Sequence, residues 1–207
     1  MDATRPELVT GLMEARIVAI LRGLAPGQVA GVVDALVRGG ITAMEVTMNS
    51  PGALEQIRIA VEAARGRALV GAGTVLDAVA ATEAILAGAE FLVAPNLDER
   101  VIRTAHRYGR AAIPGAMTPT EIAAAAEAGA DIVKVFPAGT LGPRYFREVR
   151  APLGHIPLMA TGGVSLENAK EFLKAGAVML GVGGSLVNRE LIAAGRWEEI
   201  ATRAAEL

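Results

Sequence analysis

The stretch Ala128-Gly129-Ala130-Asp131-Ile132-Val133-Lys134-Val135-Phe136-Pro137 decides the fold. An Ala-rich helical pattern runs out at Gly129, and a β-branched apolar run follows at once. One helix therefore ends here and one strand begins. The same hinge recurs as Arg38-Gly39-Gly40, Ala87-Gly88-Ala89 and Ala175-Gly176-Ala177. The four glycines, at 39, 88, 129 and 176, lie 49, 41 and 47 residues apart. Each interval has room for two strand–helix units. Glycine also closes the intervening strands, at Arg22-Gly23, Gly71-Ala72-Gly73, Pro114-Gly115 and Gly162-Gly163. Eight βα units in four quarters predict an α/β chain folded as a (β/α)8 TIM barrel. A doubly wound open sheet is the alternative, but eight strands of this regularity favour closure.

Working outward, strands are predicted at Ile17–Leu21, Ala43–Thr47, Ala68–Gly71, Phe91–Ala94, Ala111–Ile113, Ile132–Phe136, Leu158–Thr161 and Val178–Val182. Residues 1–15 form an extra N-terminal helix, and residues 1–207 are expected to be a single domain. Thr118-Pro119-Thr120-Glu121 is a capping box with proline at the first helical position. Ser50-Pro51 is expected to open a helix in the same way. Ser165 is expected to cap a helix whose apolar face is Leu166, Ala169, Phe172 and Leu173.

The chain is 52% hydrophobic but 3% aromatic, so its core must be aliphatic. No apolar stretch reaches the roughly 18 residues that cross a bilayer, and Met1-Asp2-Ala3-Thr4-Arg5-Pro6 lacks the apolar segment of a signal peptide. No membrane partner is expected. There is no cysteine, which excludes disulfides and thiolate chemistry and fits a cytoplasmic protein. A net charge of −2 without a basic run argues against nucleic acid as a partner. His106 and His155 stand alone, so neither a metal nor another cofactor is expected.

Lys134 is the chemical signal. The chain has three lysines against seventeen arginines, and the other two, Lys170 and Lys174, share an amphipathic helix. A lysine inside an apolar strand must be neutralised, paired or used, because a lone ammonium is costly to bury. Burial lowers its pKa, and a neutral amine attacks carbonyls. Glu45, in Ala43-Met44-Glu45-Val46-Thr47, sits in a strand covered on both faces, so it too needs a reason to be there. The plainer reading is a buried Lys134–Glu45 ion pair.

Chemistry in such barrels gathers where strands end. Arg22 stands at the first of these positions as a planar cation suited to a carboxylate or phosphate, although it also reads as an ordinary surface arginine. Thr74 follows the third strand. Thr161-Gly162-Gly163 and Gly183-Gly184-Ser185 end the seventh and eighth strands, where unobstructed backbone amides commonly take phosphate. Phe136, on the Lys134 face, reads either as packing beside an imine or as plain core.

Taken together, these residues resemble the 2-keto-3-deoxy-6-phosphogluconate (KDPG) / 4-hydroxy-2-oxoglutarate (KHG) aldolase family. The resemblance runs in order through Val18-Ala19-Ile20-Leu21-Arg22, Glu45-Val46-Thr47, Val70-Gly71-Ala72-Gly73-Thr74-Val75, Val93-Ala94-Pro95, Ile113-Pro114-Gly115, Thr118-Pro119-Thr120-Glu121, Lys134-Val135-Phe136-Pro137-Ala138, Thr161-Gly162-Gly163-Val164 and Gly184-Ser185. It implies a class I, metal-free aldolase that cleaves KDPG, and KHG, to pyruvate and glyceraldehyde 3-phosphate or glyoxylate. It also implies a homotrimer. On that resemblance Lys134 forms the imine and Glu45 is the general acid/base. Thr74, Pro95 and Phe136 place pyruvate, and Gly162, Gly163, Gly184 and Ser185 hold the phosphate, with Thr161 beside them.

One position departs from the pattern. Many phosphogluconate-type members carry an arginine four residues after the glutamate, and this chain has Asn49; Arg22 would supply the cation. Asn49-Ser50-Pro51 and Gly142-Pro143-Arg144-Tyr145 resemble the phosphogalactonate-cleaving branch. The alternatives are therefore that epimer, a non-imine sugar-phosphate isomerase or epimerase barrel, and a non-catalytic barrel that binds a phosphometabolite.

Overall fold

The structure is a computed structural model that describes residues 3–207. The chain runs α1 (Arg5–Ala15), β1 (Ile17–Leu21), α2 (Pro26–Arg38), β2 (Ala43–Thr47), α3 (Ala53–Ala64), β3 (Leu69–Gly73), α4 (Ala78–Leu86), β4 (Phe91–Val93) and α5 (Glu99–Arg107). It continues β5 (Ala111–Ile113), β6 (Gly115–Ala116), α6 (Pro119–Glu127), β7 (Val133–Val135), α7 (Ala138–Leu153), β8 (Leu158–Thr161), α8 (Ala169–Lys174), β9 (Met179–Val182), α9 (Arg189–Ala193) and α10 (Trp197–Glu206).

All strand pairs are parallel, in the order β5-β4-β3-β2-β1-β9-β8-β7-β6. The two edges of this sheet are β5 and β6, which the chain joins through Pro114 alone. The sheet therefore curls until its ends meet, and β5 with β6 act as one barrel strand interrupted at a residue without an N–H. The architecture is the expected (β/α)8 barrel.

Two apolar cores result. The larger lies between the strands and the surrounding helices. The smaller fills the barrel itself with Val18, Ala43, Phe91, Val93, Ala111, Ile113, Ile132, Met159 and Met179, and Leu8 and Leu12 of α1 plug its floor. Inward and outward positions alternate along each strand, so both faces are apolar and the strands lack amphipathic contrast. An ion cluster ties α1 down. Asp131 meets Arg5 at 3.1 Å and His106 at 3.2 Å, and it accepts the Ala112 amide at 2.8 Å. His106, expected to stand alone, is thus a partner of Asp131.

Four predicted strands match to the residue, and the others shift by one or two positions. The third was expected at Ala68–Gly71 but continues to Gly73, because Val46 and Thr47 of β2 carry the ladder on to Ala72 and Gly73. The strands expected at Phe91–Ala94 and Val178–Val182 are each trimmed at one end, and that expected at Ile132–Phe136 at both. Of the helix expected over residues 1–15, positions 1 and 2 lie outside the described residues, and the described helix begins at Arg5.

Two expected caps are corrected. Ser50 does not cap α3, which starts at Ala53 behind Gly52; its hydroxyl instead contacts Thr47 at 3.0 Å and accepts the Gly23 amide at 2.9 Å. Ser165 precedes a turn in which its own amide donates to Asn168 Oδ1 at 2.9 Å, and α8 begins only at Ala169. The Thr118–Glu121 capping box is present as expected.

Candidate active site

A cavity of about 950 Å³ opens at the carboxyl ends of the strands. Its lining includes Arg22, Thr74, Pro95, Lys134, Phe136, Thr161, Gly162, Gly163, Gly184 and Ser185. Every expected site residue is brought to this one place, with Glu45 set beside it in the barrel interior. Parallel strands force this convergence, since each delivers its terminal residues to the same rim.

Lys134 lies in β7, 4% exposed, with its amide donating to Pro114 O at 2.9 Å. Its Nζ stands 5.2 Å from the centroid of the Phe136 ring. That ring is 38% exposed and lines the cavity, so Phe136 is a wall of the site rather than plain core. Burial pushes the Lys134 amine below the usual lysine range, the positive Arg22 adds to this, and the Glu45 carboxylate opposes it.

Glu45 is 1% exposed, and its Oε2 has no hydrogen-bond partner among the described residues. Burial raises its pKa above the ordinary carboxylate range, and the charges of Lys134 and Arg22 pull it partly back. No direct ion pair joins Lys134 to Glu45 among the described residues, which disfavours the reading of a purely structural salt bridge. A buried carboxylate that is neither bonded nor directly paired is a high-energy group unless a ligand or a proton meets it.

The neighbouring strand accommodates this carboxylate. A Cβ on Gly73 would collide with Glu45 Oε1 and lie 2.6 Å from its Cδ. Two residues earlier, a Cβ on Gly71 would meet the Phe91 ring at 2.5 Å. Gly73 thus makes room for the acid, and Gly71 makes room for the core beneath it. Thr161 Oγ1 is the second buried side-chain atom at the site without a partner.

At the rim, Arg22 donates to Asn49 Oδ1 at 2.9 Å and to Thr74 Oγ1 at 3.2 Å. Asn49 therefore steers the Arg22 cation. Thr74 takes φ +57°, unfavourable for a β-branched residue, and such outliers gather at ligand sites. On the opposite side, Gly162 and Gly163 adopt φ +87° and +74°. The amides of Gly163, Val164, Gly184 and Ser185 make no hydrogen bond among the described residues. These four donors, with the Ser185 hydroxyl close by, form a neutral anion cradle.

Residues that sequence reasoning missed include Arg189 and Asn188, both lining the cavity, and the positioning part of Asn49. Arg189 carried no local signal, since an arginine at a helix start resembles any solvated side chain.

A family model described as "Aldolase: KDPG and KHG aldolase" matches residues 9–203. The probable 2-dehydro-3-deoxy-6-phosphogalactonate aldolase of Rhizobium meliloti (strain 1021) is 42% identical over 195 residues, covering 93% of this chain and 92% of its own. The 2-dehydro-3-deoxy-phosphogluconate aldolase of Treponema pallidum (strain Nichols) is 37% identical over 167 residues, covering 80% of this chain and 79% of its own. A solved structure described as native KDPGal superimposes with a TM-score of 0.85 at 36% identity, over 92% of this chain and 91% of that one.

Proposed function

This chain belongs to the KDPG and KHG aldolase family and is an aldolase, a carbon–carbon lyase; from that premise we propose that it is a class I enzyme that cleaves a 2-keto-3-deoxy-6-phosphosugar acid through an imine on Lys134. The observation that carries this reading is a buried amine of lowered pKa on the cavity wall, near a buried carboxylate without a hydrogen-bond partner.

The chemistry follows from those two groups. The free amine of Lys134 adds to the C2 carbonyl of the substrate, and loss of water from the carbinolamine leaves a protonated imine. This is an electron sink. A base removes the C4 hydroxyl proton, the C3–C4 bond breaks, and its electrons pass into the imine to give an enamine and an aldehyde. Protonation at C3 and hydrolysis then release pyruvate and restore the amine. Each proton transfer needs a group that can both hold and release a proton, and burial that raises the Glu45 pKa above the ordinary carboxylate range suits it to that work, directly or through a water.

Arg22 supplies the cation for the substrate carboxylate, held in place by Asn49 and Thr74. Pro95 and Phe136 bound the pyruvyl half, Thr161 offers its free hydroxyl to the substrate, and the Gly162–Gly163 and Gly184–Ser185 cradle takes the phosphate. No step calls for a metal or other cofactor. Binding energy from the remote phosphate orients the reacting carbons.

KDPG, yielding pyruvate and glyceraldehyde 3-phosphate, is the leading substrate of this reading, with KHG as a shorter one. The galactonate epimer is a second reading, supported by the 42% relative named for that substrate and by the Arg22–Asn49 pairing. A ratio of kcat/KM for the two epimers decides between them.

We also place residues 1–207 in one aldolase domain. A homotrimer acting in the cytoplasm, in an Entner–Doudoroff-type route, completes the reading. Leu76, Val79 and Leu86 support assembly, being 52%, 69% and 72% exposed on and beside α4, where a second copy would cover them. Sedimentation tests that part. No described helix is long and apolar enough to cross a membrane.

The deciding experiment is borohydride reduction in the presence of pyruvate, read by peptide mass. An adduct on Lys134 is expected in the parent protein and none in Lys134→Ala. A folded, pyruvate-saturated parent without an adduct overturns the imine and moves the reading to a phosphate-binding isomerase.

A further inference from the structure

Three cationic side chains line the cavity: Arg22, Lys134 and Arg189. The mechanism uses the first two. Arg22 is held toward the pyruvyl side by Asn49 and Thr74, and Lys134 is the amine. Arg189 is left over. It begins α9, four residues after Ser185, and is exposed at the rim.

Its setting is specific. Among the described residues no hydrogen bond or ion pair engages its side chain, and Glu190 next to it makes none with it. The guanidinium lies across Gly23 at the end of β1: a Cβ there would come within 2.9 Å of Arg189 Nη2. Gly23 has φ +67° and no side chain, so the fork can lie over the seam between the loops after β1 and β9, which are neighbours in the barrel. The amides of Glu190 and Leu191 are already taken by Asn188 Oδ1, at 3.0 and 3.1 Å. α9 therefore presents the side chain of its first residue to the cavity, not its backbone.

The cradle formed by the loops after β8 and β9 consists of neutral donors, while the phosphate it would hold carries close to two negative charges. A guanidinium fork supplies charge and paired donors that amides lack. We propose that Arg189 is the side-chain cation of the phosphate subsite, closing over the outer oxygens of the distal phosphate once Gly163, Val164, Gly184 and Ser185 have taken the inner ones. Arg189 thereby selects phosphorylated over unphosphorylated substrates. This inference rests on the aldolase reading of the same site.

The test compares the parent, Arg189→Ala and Arg189→Lys on a 2-keto-3-deoxy-6-phosphosugar acid and on the same sugar acid without phosphate. In Arg189→Ala, KM for the phosphorylated substrate should rise about tenfold or more, the loss typical of a charge-assisted contact, with kcat little changed. Inorganic phosphate should inhibit that variant correspondingly less. Kinetics on the unphosphorylated acid and borohydride trapping of pyruvate should match the parent, and Arg189→Lys should recover part of the loss. An unchanged KM for the phosphorylated substrate overturns the proposal. So does an equal loss on both substrates, or weakened pyruvate trapping, either of which would put Arg189 at the carboxylate end. Failure of the parent itself to trap pyruvate would instead strike the imine reading, so the two failures are separable.

Discussion

Replacing Gly73 by alanine should damage catalysis out of proportion to stability, and replacing Gly71 should do the reverse. Both glycines lie in β3, two residues apart, and neither has a positive φ. A Cβ at 73 would stand 2.6 Å from Glu45 Cδ, whereas ordinary contact begins near 3.4 Å. The carboxylate must withdraw by about 0.8 Å, because backbone in a closed ladder yields less than a side chain. A Cβ at 71 would push on the Phe91 ring by a similar amount. Overpacking of this kind costs about 1–3 kcal/mol, which for a chain of this length lowers Tm by about 2–12 °C in either variant.

The catalytic consequence differs. Displacing a proton-transfer group by about 1 Å costs about a hundredfold in rate, so Gly73→Ala should lose about that much in kcat/KM while Gly71→Ala stays within about twofold of the parent. The assay couples pyruvate release to a dehydrogenase, with a thermal melt of each variant alongside. A folded Gly73→Ala enzyme with undiminished kcat/KM would show that Glu45 need not stand where it does. A hundredfold loss in Gly71→Ala would show that the effect is packing alone.

Three further outcomes are expected. Arg22→Ala should raise the pyruvate concentration needed for half-maximal borohydride trapping far more than Asn49→Ala, since the first removes the cation and the second only its guide; equal effects would misplace the carboxylate site. The trapping rate should rise with pH through the lowered pKa of Lys134, because only the free amine attacks, with its midpoint below 10.5. Arg22→Ala should move that midpoint upward, since a positive neighbour holds the pKa down, and a parent midpoint at or above 10.5 would contradict the burial argument. Thr161→Val should raise the Tm of the free enzyme by about 2–4 °C, by removing a buried unbonded hydroxyl worth about 1 kcal/mol. It should also lower kcat/KM, and unchanged kinetics would mean that the hydroxyl never meets the substrate.

The barrel was legible because its period is local. A helix that ends at glycine and a β-branched run that follows are both read within about ten residues, and the spacing of Gly39, Gly88, Gly129 and Gly176 repeats the message. Strand ends were less legible. Gly73 reads as a turn, yet it stays in the ladder because β2 offers it a partner. Ser50 reads as a helix cap, yet its hydroxyl serves the neighbouring loop through the Gly23 amide. In both cases a partner distant in sequence outbid the local preference.

Lys134 and Glu45 were visible one at a time, since each is a charge in an apolar strand and burial of charge is a one-residue argument. Their pairing was legible as an expected ion pair, but the lack of direct contact between them was not, nor was the clearance that Gly73 provides, the hold of Asn49 on Arg22, or the placing of Arg189 across Gly23. These depend on the register of parallel strands and on how the closed barrel rotates each loop about its axis. Composition and periodicity by themselves determined an aliphatic (β/α)8 barrel with a lysine inside one of its strands. Only the tertiary structure decided how Glu45 stands relative to that lysine, which cation faces which end of the cavity, and which polar atoms are left without partners. Alternation along a strand sets the face a side chain takes, whereas closure of the sheet sets its neighbours.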